Sequence, residues 1–193
     1  MEFIHFVNKS ALNIIKNNGI EVESSYRGPV ILIFPLIRIN FKSPSHAFRL
    51  QAIKNNLNLS IVESWERIGA LEIRQNNEKV YGAIFSLNAE FYPMKVNIDI
   101  SSSIAKKFVK KIDMLDSSLV IYDCDKSLSE VVANSSWKKY TIEAKFEVKS
   151  EIGLLALLEC FKKSGGGIWG ALSIYCLISK NIEEKFIKEI VDF

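Results

Sequence analysis

The 193-residue chain has only three cysteines, two histidines and four prolines. Cys124, Cys160 and Cys176 are odd in number, widely spaced and without a C-x-x-C pair. That speaks against a disulfide framework or a cysteine-bound zinc. Cys160 and Cys176 stand in apolar surroundings and read as small buried side chains in a reducing compartment. With only His5 and His46, a histidine triad or histidine metal centre has little to draw on, and no metal ligand set is identified. The longest apolar stretches, 30–37 and 168–178, fall short of the roughly 20 residues a membrane helix needs. Glu2, His5, Asn8 and Lys9 interrupt the start, unlike a secretory signal. A formal net charge of +3 is too small to imply nucleic acid without clustering. A cytoplasmic protein with no membrane partner is expected.

What is present is ordinary globular material, 48% apolar and 24% charged, enough for one good core. The layout centres on Gly28–Phe41. Val30 to Phe34 is an unbroken apolar run opened by Gly28-Pro29, as in a strand buried on both faces. Pro35 removes one backbone donor, and Ile37, Ile39 and Phe41 then alternate with Arg38 and Asn40. One long bent strand is expected. Before it come a strand at Phe3–Val7 and a helix capped by Ser10 and ended by Gly19. After it, Ser43-Pro44 opens a helix to about Asn55, and Asn76-Asn77 suggests a hairpin between Leu71–Arg74 and Val80–Leu87.

Further along, Met94, Val96, Ile98 and Ile100 alternate as a strand, and Ile104, Phe108, Ile112 and Leu115 recur at helical spacing. Leu119–Tyr122 reads as a short strand, and Ser127 caps a brief helix. Tyr140–Val148 alternates again. Ser150 caps a helix apolar almost all round, so expected to be buried, and stopped by Gly165-Gly166-Gly167. A strand over 168–178 and a closing helix over Glu183–Phe193 complete a C-terminal β-α-β-α unit, whose crossover favours parallel strands. The expected fold is α+β: a single domain over 1–193 with a mixed sheet and packed helices, the alternative division being 1–136 and 137–193.

Several motifs resemble chemistry. Gly165-Gly166-Gly167-Ile168-Trp169-Gly170 matches G-x-G-x-x-G, but these glycines leave a helix and open a strand, so no helix N-terminus faces a pyrophosphate. Asp123 and Asp125 flank Cys124 at a strand end and point the same way, yet no third metal ligand accompanies them. Lys106, Lys107, Lys110 and Lys111 form a basic helix face without interleaved arginine and aromatic residues. It reads as a solvated face, and nucleic acid is not expected.

One stretch resembles a known superfamily. Phe3-Ile4-His5-Phe6-Val7, a helix, Asn18-Gly19-Ile20 and then Gly28 to Pro35 resemble the opening of ADP-ribosyltransferase-like proteins over about residues 3–41. There a first-strand His or Arg precedes a short helix ending in Gly. The resemblance implies NAD as cofactor, with His5 helping to hold its ribose, while a later glutamate polarises the ribose hydroxyl. No glutamate falls in a recognisable motif, so neither Glu72 nor Glu78 can be chosen.

Because the polar residues form no convergent catalytic set in the sequence, the expected role is non-catalytic protein binding without a cofactor. The concrete version is an immunity-type inhibitor docking on a toxin domain. Inhibitors of basic nucleases are acidic for complementarity, so this chain needs either a neutral or acidic partner or a local acidic patch. The candidates are Glu63, Glu66 and Glu72, and Asp113, Asp116, Asp123 and Asp125, with Trp65 or Trp137 as an aromatic anchor. The alternative is an ADP-ribosyltransferase-like enzyme or NAD-binding relative using His5.

Overall fold

The computed structural model describes residues 1–25, 28–36, 81–134, 141–166 and 174–192. Their elements, in chain order, are β1 (Glu2–Val7), α1 (Leu12–Asn18), β2 (Glu23–Ser25), β3 (Gly28–Leu36), β4 (Tyr81–Ser86) and β5 (Met94–Ser101). Then follow α2 (Ser102–Ile112), β6 (Val120–Tyr122), α3 (Leu128–Asn134), β7 (Thr141–Val148), α4 (Glu151–Lys163), β8 (Ile174–Ile178), a 3-10 turn (Glu184–Phe186) and β9 (Ile187–Asp192). The chain is α+β, and every pairing with a described register is antiparallel where a mixed sheet was expected. The expected strand half at Ile37–Phe41, the helix from Ser43 and the Leu71–Arg74 hairpin arm lie outside the described residues.

Two compact units are distinguishable, 1–87 with 177–193, and 88–176. In the first, strands run in the order β3-β1-β4-β9, with β2 on β3. β1 is central and buries Phe3, Ile4, Phe6 and Val7. Phe3 stacks on Phe85 at 6.1 Å, and Phe6 meets Phe34 at 5.3 Å. Pro35 stays within β3 opposite Phe3. α1 lacks the Ser10 cap expected for it: Ser10 donates instead to Asn8 Oδ1, which also takes the Ala11 N–H. Gly19 ends α1 at φ +80°, and Ile20 and Ile182 then exchange both backbone hydrogen bonds.

The closing helix expected over Glu183–Phe193 is not formed; that segment is the 3-10 turn and β9. Ile187 and Ile190 are three apart, a spacing that suits a helix. Here β9 pairs with β4 through a register shift, Ile84 opposite Glu189 but Phe85 opposite Ile187. Lys188 is the extra residue, so the bulge brings Ile187 and Ile190 to one face. Pairing also satisfies the backbone groups along β4, which a helix would leave open. The C-terminal unit is therefore β-α-β followed by a strand.

In the second unit the order is β6-β7-β5-β8, where β8 contributes Ile174–Cys176. One face of β5 and β7 carries Val96, Ile98, Ile100, Ala144, Phe146 and Val148, all buried, and α2 and α4 supply Phe108, Leu154, Leu157, Leu158 and Phe161 to the core. Phe108 meets both Phe146 and Phe161 edge-on at 6.1 Å. Ser150 caps α4 by accepting from Gly153 N at 3.0 Å. Ser127 and Glu130 form a reciprocal capping box at α3. α4 is not buried all round as expected: Ile152 is 67% and Leu155 44% exposed. Its sequence is apolar on more sides than its neighbours cover.

Candidate functional site

The stretch 113–125 begins where α2 stops. Asp113, Met114 and Leu115 turn back onto Val109, Lys111 and Ile112 carbonyls, and Leu119 N bonds the Asp116 carbonyl. Asp116 Oδ1 also accepts from Ser118 N at 2.9 Å, and these Ser118 bonds hold its carboxyl below the usual carboxylate range. β6 follows as the outer strand of its sheet. Gly153 sits against Leu119: a Cβ there would lie 2.2 Å from the Leu119 oxygen, so the first turn of α4 is seated on this stretch.

All four predicted aspartates fall here. Asp113 accepts from Ser129 at 3.3 Å, Asp123 pairs with Lys95 at 3.1 Å, and Asp125 is exposed. Glu63, Trp65 and Glu66 lie outside the described residues, as do Glu72, Glu78, His46 and Trp137. Residues 113–125 hold four aspartates and no lysine or arginine. Four of the six exposed large apolar side chains among the described residues, Met114 (79%), Ile121, Ile152 and Leu155, belong to this stretch or to the helix turns seated on it. The sequence reading picked the aspartates and missed these four. Met114 between Asp113 and Asp116 is a readable signal, whereas Ile152 and Leu155 look like core.

Tyr122 packs against Phe146 at 5.5 Å beside Cys124. Burial, then the neighbouring Cys124, pushes its phenol from 10.0 up to about 12. An unfolded chain would release that proton near pH 10, the folded one only near 12. The tyrosine's contribution is therefore complete below pH 10 and is lost as pH rises from there towards 12. Denaturant titrations across that range should show stability falling, and Tyr122→Phe should flatten the fall.

A groove of about 690 Å³ separates α2 from α3, lined by Lys106, Val109, Lys110, Asp113, Met114, Ser129, Val132 and Ala133. The two lysines come from the basic helix face seen in the sequence. On the opposite sheet face lies a cluster the sequence did not reveal. Buried Asn97 donates to Glu143 Oε1 and to the Tyr175 hydroxyl, both at 3.0 Å, and Tyr175 donates to the same Glu143 oxygen. Asp99, also buried, stands directly opposite Glu143 in the ladder. The expectation that polar groups do not converge is corrected to this extent. Three strands far apart in sequence bring them together, so no local pattern could have shown it. Glu143 is 40% exposed and near Lys145, which makes a solvated hydrogen-bonded network rather than an enclosed reactive pocket.

His5 donates from Nδ1 to the Leu32 carbonyl at 2.8 Å, an acceptor that fixes which nitrogen carries the proton. The register places His5 beside Ala83 and Ile190, with the row Val7–Tyr81–Asp192 next along the same face. Glu189 pairs with Ile84 and so faces the other way. Among the described residues no group of three or more His, Cys, Asp or Glu side chains could hold a metal. No described helix is long and apolar enough to cross a membrane. Comparison with family models, curated proteins and solved structures finds no match for the chain.

Proposed function

We propose that this is a non-catalytic, cytoplasmic protein-binding protein of the immunity type, which docks on another protein, a toxin domain, and blocks it. The observation that carries the reading is the stretch 113–125, which holds four aspartates and no lysine or arginine and exposes Met114 and Ile121. Exposed apolar side chains close to carboxylates suit association: the apolar groups gain from burial and the charges select and steer the partner. Asp123 is paired with Lys95 and Asp113 shares a groove with Lys106 and Lys110, so Asp116 and Asp125 are the carboxylates that match a basic partner surface. Three free cysteines accord with a reducing compartment.

The test uses wild type and Asp116→Lys/Asp123→Lys as baits in lysate of the producing cells. One protein should be retained by wild type, be lost with the variant, and have its activity inhibited by wild type alone. Retention of the same proteins by both baits would sink the reading.

A second reading, an ADP-ribosyltransferase-like or NAD-binding relative, is favoured by His5 sharing a sheet face with Tyr81 and Asp192. The carboxylate would then be Asp192 in place of a glutamate. Calorimetric titration with NAD separates the two: saturable binding abolished in His5→Ala would establish the second reading and remove the first.

A further inference from the structure

We infer that the open edge of β6 takes up an extended, basic segment of the partner as an added β-strand. This rests on the docking reading above and specifies its mode.

The direction of the backbone groups follows from one hydrogen bond. Asp123 N bonds the Lys145 oxygen at 2.8 Å, which makes Asp123–Lys145 a hydrogen-bonded pair of the antiparallel ladder. Such pairs recur every second residue, so Ile121–Glu147 is another, and Val120 and Tyr122 point their N–H and C=O groups away from β7. Among the described residues β6 is the outermost strand of this unit, and none takes those groups. Two donors and two acceptors at i, i+2 spacing are what strand addition requires.

The surroundings define the occupant. Val120 is buried, whereas Ile121 is 45% exposed on the other face and offers an apolar contact. Asp116 and Asp125 flank the three-residue strand, one towards each end, and Asp123 beside it is paired with Lys95. Lysine or arginine flanking an apolar residue in an extended segment complements the edge in charge, backbone and side chain.

A ten-residue peptide alternating lysine and valine is the probe, titrated into the isotope-labelled full chain at low ionic strength. Saturable binding should slow exchange of the Val120 and Tyr122 amides while leaving the already bonded Ile121 and Asp123 amides little changed. Substituting glutamate for every lysine in the peptide should weaken binding at least about tenfold, as should Asp116→Asn/Asp123→Asn in the protein. Lysine-peptide binding without slowed exchange at Val120 and Tyr122 would mean charge attraction alone and overturn strand addition while the docking surface stands. Absent binding, or equal binding of the glutamate peptide, overturns it as well. Concentration-dependent protection of the two amides without peptide would make the occupant a second copy. The docking reading itself fails only on the bait comparison, so the two failures are told apart.

Discussion

Replacing Gly19 with alanine is expected to destabilise the first unit by about 3 kcal/mol, more than a hundredfold in the unfolding constant. Two costs add. Gly19 sits at φ +80°, ψ −160°, an essentially glycine-only region where a side chain costs roughly 1–3 kcal/mol. Its Cβ would also lie 2.0 Å from the Ile182 oxygen and 2.8 Å from Glu184 N. Both atoms are backbone, so relief means moving the turn before β9 and losing the Ile20–Ile182 bridge, and overpacking of this sort costs roughly 1–3 kcal/mol. Urea denaturation measures the sum. An unchanged midpoint would show that the turn yields freely.

Gly153→Ala is expected to destabilise too, although helix propensity argues for the reverse. Alanine in place of a glycine in a helix interior contributes about 1 kcal/mol in favour of the helix, and less in the first turn, where Gly153 stands. Here the new Cβ would meet the Leu119 carbonyl oxygen at 2.2 Å, so α4 or the 116–121 stretch must shift by about an ångström. The clash should outweigh propensity and leave a net loss of roughly 2 kcal/mol. The consequence extends to function, because the displaced stretch carries Asp116 and leads directly into Ile121. Partner affinity should fall even where the variant remains folded. A stabilised variant with wild-type binding would refute both halves.

Local signals in the sequence were read where local chemistry decides structure. Ser150 with Gly153, Ser127 with Glu130, and Gly19 after Asn18 all mark helix ends through groups within three or four residues. Ser10 failed as a cap because Asn8, two residues earlier, already offered its oxygen to the Ala11 amide. The misreading of 183–193 has a different origin. Spacing of Ile187 and Ile190 fits a helix and a bulged strand equally, and only the bonding edge of β4, about a hundred residues away, decides between them. The Asn97–Glu143–Tyr175 network is hidden for the same reason. Asn97 and Glu143 look like wet-face residues of alternating strands and Tyr175 like part of an apolar run, until pairing joins them. The acidic stretch was legible because it is contiguous in sequence. Its apolar share was not, because exposure of Ile152 and Leu155 depends on how far the neighbouring elements extend over α4.

Hydrogen exchange of the chain, alone and with the partner it captures, tests the central claim most directly by locating the contact. Slowed exchange should be concentrated in peptides spanning 113–125 and the start of α4. Protection centred on β1, β4 and β9 around His5, Tyr81 and Asp192, with 113–125 unaltered, would contradict the account.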